Sequence, residues 1–188
     1  MQEVYREVGV NATKVLFRVQ YLKWWHYSLF AKFVPVGYYA GNFRQDDPHQ
    51  PCLSQDVKVG SNLGSPFQRV PADMDALESQ ARLSLARLEL AWTEHSPQER
   101  AKKLASFLAA LIGRFIQVHP FLNGNGRTSR VLWAWGLLRF GVPVQCRIDP
   151  RPDSPYGDLM QKAMTGNYGP LALYILQHFA NHRPEQTT

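Results

Sequence analysis

Cysteine is scarce in this sequence, which has two, Cys52 and Cys146, among 188 residues. They lie far apart and show none of the short spacings that zinc ligands adopt. The sequence therefore predicts neither a disulfide framework nor a zinc site. This use of cysteine is typical of a reducing compartment.

Long apolar runs are also missing. The most apolar stretch, residues 15–36, is interrupted by polar or charged side chains, which are Arg18, Lys23, His26 and Lys32. A bilayer span needs about 20 apolar residues with few charges, so we expect neither a membrane span nor a membrane partner. We also expect no signal peptide, because no charged segment precedes a short apolar core with a small-residue cleavage site.

Acidic residues are fewer than basic ones, at 15 against 21, and the net charge is +6. An excess of positive charge can serve nucleic-acid binding, but here the basic residues are scattered along the chain. The tightest group, Arg100, Lys102 and Lys103, lies early in a helical pattern, where a solvated face explains it. We therefore do not expect a nucleic-acid partner. A nucleotide polyphosphate would be attracted by the same positive field.

Periodicity predicts a single all-α domain over residues 1–188, with its core at about 13–181. The hydrophobic fraction of 45% and the charged fraction of 19% are those of a folded protein. Apolar residues recur at helical spacing, with caps or prolines at the ends, in the segments 13–34, 71–92, 97–118, 127–140, 155–165 and 170–179. The third segment begins at a capping box formed by Ser96 and Glu99 and is apolar over much of its circumference, so we expect it at the centre of a helical bundle.

One small β-hairpin is predicted at about 55–70. Residues 55–59 alternate polar and apolar, turn residues follow, and residues 67–70 can return as a second strand. A two-stranded ribbon exposes an edge that can pair with a partner's extended backbone. A surface hairpin without a partner is the alternative.

The most informative stretch is residues 119–130, which read His-Pro-Phe-Leu-Asn-Gly-Asn-Gly-Arg-Thr-Ser-Arg. Its glycines let backbone amides approach a ligand, and the helix that follows presents unpaired N–H groups and partial positive charge. These features predict an anion site. Arg127 and Arg130 lie three residues apart and share one helix face, from which both can contact a polyphosphate. His119 would then be a base beside a bound phosphate.

Taken singly, each of these residues also fits a plain helical corner with a buried histidine. A plain turn, however, has no use for two arginines facing glycine amides. The stretch resembles the Fic-domain motif H-P-F-x-[D/E]-G-N-G-R-x-x-R and departs from it at Asn123. The matching residues are His119, Pro120, Phe121, Gly124, Asn125, Gly126, Arg127 and Arg130. The resemblance implies a Fic-type helical bundle with one small β-hairpin, called the flap.

The resemblance also implies an activity. Fic proteins typically move the AMP part of ATP onto a Ser, Thr or Tyr hydroxyl of a target protein and release pyrophosphate. His119 would accept the proton of that hydroxyl, and an unperturbed pKa of about 6.5 suits a base at neutral pH. Phe121 would point into the core and anchor the loop. ATP is therefore the expected co-substrate and a hydroxyl-bearing protein the expected partner.

Phosphate binding would fall to five residues of the motif. The resemblance implies that Gly124, Asn125 and Gly126 form an amide cradle around the α and β phosphates. Arg127 and Arg130 would neutralise the outer phosphates. Such a site works mostly by positioning and electrostatics.

Asn123 stands where the family usually has Asp or Glu, which holds the Mg²⁺ that bridges the phosphates. An Asn carbonyl is an oxygen ligand without charge, so we expect Mg²⁺ binding that is weakened but retained. Three interpretations follow, in order of preference: a slower or metal-poor AMP transferase, a family member that moves another phosphate-containing group, and a domain that binds nucleotide without turning it over.

The resemblance gives the hairpin a role as well. A Fic flap holds the target segment by strand addition, and the contact stretch expected here is Val57, Lys58, Val59 and Gly60. A segment similar to Ala-Gly-x-x-Arg, which ends here at Arg44, leads toward the flap in Fic proteins.

Regulation is expected to differ from that of many Fic proteins, which are held inactive by a helix carrying [S/T]-x-x-x-E-[G/N]. No Ser or Thr of this chain begins that pattern. Control would come from a separate inhibitory chain, as in toxin–antitoxin pairs, from sequence outside this chain, or be absent. As a toxin or effector, the protein is expected in the bacterial cytoplasm, or in a host cytosol after translocation.

Two other functions stay open at this point. The same fold could transfer UMP, phosphocholine or phosphate, which the mass shift of a modified target would distinguish. Alternatively, the chain could be a non-catalytic nucleotide-binding interaction module that uses the flap edge and its basic surface. In that case the loss of His119 would leave its effect intact.

Overall fold

A computed structural model describes Val8, Ala12 and residues 16–142 and 155–180, the side chains of the last segment as far as residue 177. The longer ranges contain the helices α1 Val19–Phe30, α2 Val70–Leu90, α3 Pro97–Val118, α4 Asn125–Arg139, α5 Tyr156–Met164 and α6 Gly169–Ala180. Strand β1 Lys58–Val59 pairs antiparallel with β2 Asn62–Leu63. The predicted all-α fold with one small hairpin is confirmed.

Helix α3 is the central helix, as its apolar circumference predicted. It packs against α2, α4, α5 and α6. The predicted capping box is present, since the Ser96 hydroxyl accepts from the Glu99 N–H at 3.3 Å and the Glu99 carboxylate accepts from the Ser96 N–H at 2.9 Å. Buried residues surround its axis from Leu104 to Val118. A helix fixed on so many sides is a rigid support for whatever follows its last turn.

Helix α2 also follows its predicted pattern. Pro71 lies in its first turn, where the missing N–H costs nothing. Of the predicted apolar stripe, Met74, Leu77, Ala81, Leu85 and Leu88 are buried, whereas Trp92 lies beyond the end of the helix and is half-buried. These side chains close one side of the core against α3.

Helix α1 is shorter than the predicted segment 13–34. It begins at Val19 and ends at Phe30. The sequence also predicts Thr13 as the N-cap of this segment, but Thr13 lies outside the described residues. Arg18 is extended, with φ −139° and ψ 140°, and the Val19 N–H donates to the Glu78 carboxylate of α2 at 2.8 Å. A carboxylate from another helix therefore satisfies the N-terminus, which local sequence signals cannot show.

The hairpin is smaller than the predicted 55–70, and the prediction of a second strand at 67–70 is wrong. Gly60 has φ 61° and, with Ser61, makes a two-residue turn between the strands. Residues Phe67–Arg69 form a 3₁₀ helix instead, and the Phe67 N–H donates to Asp56 Oδ1 at 2.9 Å. This 3₁₀ helix leads directly into α2.

The C-terminal helices appear where they were predicted, with Pro170 in the first turn of α6. The sequence also predicts a Pro-rich loop at 149–155, a helix cap at Asp153 or Ser154, and a polar tail at 182–188; apart from Pro155, these residues lie outside the described ones. Within the described part of the chain, no helix combines the length and the apolar character that a membrane crossing requires.

Candidate active site

His119 lies directly after α3, as predicted. Its backbone is left-handed, with φ 51° and ψ 58°, a conformation that non-glycine residues adopt infrequently. Its Nδ1 lies 3.3 Å from the main-chain oxygen of Ile116. Because a carbonyl can only accept, Nδ1 carries the proton and Nε2 keeps the lone pair that a base needs.

The pKa of His119 departs from the ordinary value expected from the sequence. The pKa of His119 is lowered from 6.5 to about 4, chiefly by burial; the hydrogen bond to Ile116 opposes this shift, and the nearby positive charge of Arg44 adds to it. The expectation of an unperturbed pKa for His119 is therefore wrong. The ring is neutral at pH 7, and negative charge bound beside it would raise its pKa.

Phe121 anchors the motif loop in the core, as predicted. Its side chain is fully buried. Its ring stacks on the imidazole of His26, with 3.8 Å between centroids and 9° between planes. Phe43 and Phe115 pack against it at 5.1 and 6.4 Å between centroids. The loop after His119 is therefore attached to both α1 and α3.

Asn125 closes the loop with its side chain. Its Oδ1 accepts from the Phe121 N–H at 3.0 Å and its Nδ2 donates to the Phe121 oxygen at 2.8 Å. The residue is 2% exposed, so these bonds are shielded from water. Gly124 has φ 81°, and a Cβ there would lie 2.4 Å from the Phe30 ring and 3.0 Å from His26 Nε2. Only glycine fits this position.

The amide groups of the predicted cradle divide into two kinds. The Gly124 N–H is taken by Asn123 Oδ1 at 2.7 Å. The N–H groups of Asn125 and Gly126 open α4, and within the described part of the chain no acceptor is found for either. The N–H groups of Arg127 and Thr128 turn back onto the Gly124 oxygen. Two donors at the positive end of a helix are thus available to an anion.

The two motif arginines are supported by different helices. The Arg127 guanidinium carbon lies 5.6 Å from the centroid of the Phe30 ring of α1. The Arg130 guanidinium carbon lies 4.4 Å from the centroid of the Tyr156 ring of α5, and its Nη1 donates to the Gly126 oxygen at 3.2 Å. Tyr156, which the sequence did not single out, also shares a 2.9 Å hydrogen bond with Ser129. Both charges therefore lie on aromatic supports beside the N-terminus of α4.

Asn123, the expected weak metal ligand, is exposed but already bonded within the loop. Its Oδ1 holds the Gly124 N–H, and its main-chain oxygen accepts from His26 Nε2 at 3.0 Å. Across residues 16–142 and 155–180 there is no cluster of three or more His, Cys, Asp or Glu that could hold a metal ion. The motif loop 119–130 itself contains no carboxylate, so its residues fit Mg²⁺ poorly.

The sequence also did not reveal the role of Arg44 in the site. Its side chain is fully buried and donates to four carbonyl oxygens at 2.8 to 3.0 Å. Those acceptors are His119, Val118, Gln55 and Ser65. The first two belong to the C-terminal end of α3, and the last two flank the hairpin. One cation thus ties the flap to the residue predicted as the base.

The hairpin lies beside His119 as a result. The Ser65 N–H donates to the Val118 oxygen at 3.1 Å, and a Cβ on Gly64 would come within 2.9 Å of the His119 Cβ. The predicted contact stretch Val57–Gly60 forms β1 and the start of its turn, and a Cβ on Gly60 would lie 3.6 Å from Gln161 Nε2 of α5. The hairpin therefore spans from the end of α3 to α5.

A central helix that ends in a histidine, a glycine loop that opens the next helix, and a hairpin beside them define a class of helical domain. The family model described as Fic/DOC family matches residues 16–137, more than half of the chain, and the chain belongs to that family.

Individual relatives match shorter stretches. A protein named uridine 5'-monophosphate transferase, of Xanthomonas campestris pv. campestris (strain 8004), is 34% identical over 107 residues, which cover 52% of this chain and 19% of that protein. Proteins named protein adenylyltransferase Fic are 31% identical over 81 residues in Drosophila grimshawi and 37% identical over 62 residues in Aedes aegypti. The Drosophila match covers 43% of this chain and 17% of that protein. The Aedes match covers 33% of this chain and 12% of that protein. The chain thus spans less than a fifth of the length of these relatives.

Proposed function

We propose that this domain transfers AMP from ATP to a Ser, Thr or Tyr hydroxyl of a target protein. The observation that carries the proposal is the preorganised loop. Its carbonyl partner directs the His119 proton to Nδ1 and leaves Nε2 as an acceptor, while two N–H groups open α4 a few residues later. A base and an anion site fixed on two packed helices are what a positioned group transfer requires.

The transfer is an exchange of one P–O bond for another. His119 Nε2 takes the proton of the target hydroxyl, whose oxygen forms a bond to the α phosphorus. The bond from the α phosphorus to the bridging oxygen breaks, and its electron pair leaves with pyrophosphate. The amides of Asn125 and Gly126 and the guanidinium groups of Arg127 and Arg130 stabilise the negative charge that shifts toward the leaving group.

The low pKa of His119 is compatible with this role. At pH 7 the imidazole is neutral and ready to accept a proton, although an acceptor with a pKa of about 4 is a weak base. A polyphosphate beside the ring would raise the pKa toward the operating pH, where general-base catalysis is most effective. The nucleotide would thus raise the pKa of the base as well as supply the group to be transferred.

Magnesium would arrive with the nucleotide and be held chiefly by its phosphates, where it would supply further charge neutralisation. Asn123 would contribute at most one neutral oxygen, which already accepts one hydrogen bond from the Gly124 N–H. No step of the transfer depends on that contact.

The flap would place the target. Ser65 and Gly64, which follow β2, fix the hairpin beside the end of α3, so a target segment paired with Val57–Gly60 would carry its hydroxyl side chain toward His119. The attachment of both hairpin flanks to Arg44 supports a fixed distance between docked strand and base.

UMP transfer is the second candidate. The relative named uridine 5'-monophosphate transferase matches 107 residues of this chain, against 81 for the Drosophila adenylyltransferase. Both reactions use the same phosphate contacts and differ in the base that must be recognised.

Labelled nucleotides test both candidates. The protein is incubated with bacterial or host lysate and with ATP or UTP labelled at the α phosphate, and the mass shift of any labelled protein identifies the group. His119→Asn is the matched control, because Asn tolerates the left-handed backbone better than Ala. We expect label from ATP that the control abolishes. Equal labelling by the control, or none with either nucleotide, would contradict transfer by this site.

A further inference from the structure

His26 is buried on the inner face of α1, where the helical pattern would otherwise place an aliphatic residue. It is 3% exposed and neighbours the buried Leu22 and Trp25. Nevertheless both of its ring nitrogens are bonded. Nδ1 accepts from the Gly41 N–H at 2.9 Å, and Nε2 lies 3.0 Å from the Asn123 oxygen.

These two partners fix the state of the ring. An amide N–H can only donate and a carbonyl can only accept, so the imidazole is neutral with its proton on Nε2. A protonated ring could not accept from Gly41, and the other tautomer would lose both bonds. His26 therefore has one competent form in this fold.

The same ring contacts the motif loop at three successive points. It stacks on Phe121 at 3.8 Å between centroids, it donates to the Asn123 oxygen, and its Nε2 would lie 3.0 Å from a Cβ on Gly124. These positions lie between His119 and the first N–H groups of α4. The ring thus determines the path of the chain from the base to the phosphate cradle.

Through its hydrogen bond from the Gly41 N–H, the ring is also linked to the segment that contains Arg44. Gly41 is three residues before Arg44, whose main-chain N–H donates to the Pro120 oxygen at 2.7 Å and whose side chain holds the His119 oxygen at 2.9 Å. One imidazole is therefore bonded to the two segments that support the base and the cradle.

We propose that His26 is a positioning residue for the transfer reaction, holding the Asn123–Gly124 peptide so that the amides of Asn125 and Gly126 face the nucleotide phosphates. The inference rests on the function proposed above. An apolar side chain would fill the same space, so what the imidazole adds is the orientation of one carbonyl and one amide.

Three substitutions separate these contributions. His26→Phe keeps the stacked ring and removes both hydrogen bonds. His26→Gln keeps a donor at the position of Nε2, and His26→Asn keeps an acceptor at the position of Nδ1. Leu22→Val is the matched control, because it alters the same buried face of α1 in a residue that is not part of the loop contacts.

The measurement is the Kd of ATP by calorimetry, together with the KM for ATP and the kcat. We expect His26→Phe to weaken ATP binding about tenfold, the loss that one misplaced hydrogen-bonding group causes, and His26→Gln to recover most of it. His26→Asn should resemble His26→Phe. Leu22→Val should lower Tm without changing Kd.

A purely structural role predicts another result, namely that Kd follows Tm across all four variants. If folded His26→Phe binds ATP as the parent does, the inference is wrong. If His26→Phe fails to fold, the contrast between the Gln and Asn variants decides, and equal affinities would overturn the inference.

If the parent protein binds no nucleotide, the proposed function fails. The positioning role is then judged by amide hydrogen exchange at residues 121–126, which should be faster in His26→Phe than in Leu22→Val. Equal exchange would overturn the positioning role by itself.

Discussion

The Arg44 guanidinium donates to the main-chain oxygen of His119 at 2.9 Å from a fully buried position. The same group satisfies the Val118 oxygen at the end of α3 and one carbonyl on each flank of the hairpin. Carbonyls at the C-terminus of a helix lack intrahelical partners and carry partial negative charge, so a cation there is favourable. The distance between flap and base thus depends on this planar side chain together with the hydrogen bond from the Ser65 N–H to the Val118 oxygen.

Arg44→Lys should therefore impair both stability and transfer. A lysine ammonium is a point charge that cannot reproduce the fork to four separated carbonyls. An ammonium offers three N–H donors from one atom for these four carbonyls, so at least one bond is lost, and we expect the free energy of unfolding to fall by about 1 to 3 kcal/mol. Urea denaturation measures this. Arg69→Lys is the control, since that side chain is 72% exposed; a similar loss there, or none at Arg44, would contradict the role assigned to Arg44.

Asn123→Asp should strengthen the response to Mg²⁺. The Asp carboxylate can still accept the Gly124 N–H and adds the negative oxygen that Mg²⁺ prefers. We expect the Mg²⁺ concentration for half-maximal transfer to fall about tenfold or more, a typical effect of a ligand-level change. Transfer rates at graded Mg²⁺ measure it. An unchanged rate and an unchanged metal dependence would show that position 123 has no part in metal binding.

The pH dependence of stability should report the buried imidazole of His119. Its pKa is about 4 in the folded protein against 6.5 for the ordinary group, so between these values the unfolded chain binds more protons. The stability it contributes is complete above about pH 6.5 and is lost as the pH falls toward 4. Relative to His119→Asn, the parent should lose on the order of 2 kcal/mol over that window. Denaturation at pH 7 and pH 4.5 compares them, and a difference that stays constant would contradict the lowered pKa.

The helices were predictable because their signals are local. The Ser96–Glu99 capping box, the apolar spacing of α2 and Pro170 in the first turn of α6 all depend on neighbours in sequence. The start of α1 was not predictable, since its N-terminus is satisfied by Glu78, 59 residues away. The second strand was predicted too late in the chain, because we expected a turn longer than the two-residue turn at Gly60 and Ser61.

The site was predictable in its members but not in their supports. The motif residues lie together because they are nearly contiguous in the chain. Arg44, Tyr156 and His26 reach them from three other segments, and distance in sequence hides such contacts. The sequence contains one weak indication of this role, since His26 is a polar residue on the buried face of α1. The lowered pKa of His119 was hidden for the same reason, because burial depends on the packed fold.

Gly64→Ala should displace His119 without changing the chemical groups of the base. The added Cβ would lie 2.9 Å from the His119 Cβ, 3.1 Å from Arg44 Nη2 and 3.2 Å from the Val118 oxygen, so either the flap or the end of α3 must move. Overpacking of this kind costs about 1 to 3 kcal/mol. A shift near 1 Å at the reacting groups can lower transfer about 100-fold.

Gly37→Ala is the matched control for this prediction, because a Cβ there meets nothing within 4 Å. Initial transfer rates and urea denaturation of both variants give the comparison. Gly64→Ala should bind ATP with nearly the parent Kd, since the cradle at Asn125 and Gly126 is untouched, and should lose kcat. If both glycine variants keep the parent rate, the flap and His119 are not coupled through Gly64. If ATP affinity falls together with the rate, the disturbance has spread to the loop, and the coupling runs through the whole motif rather than through the base.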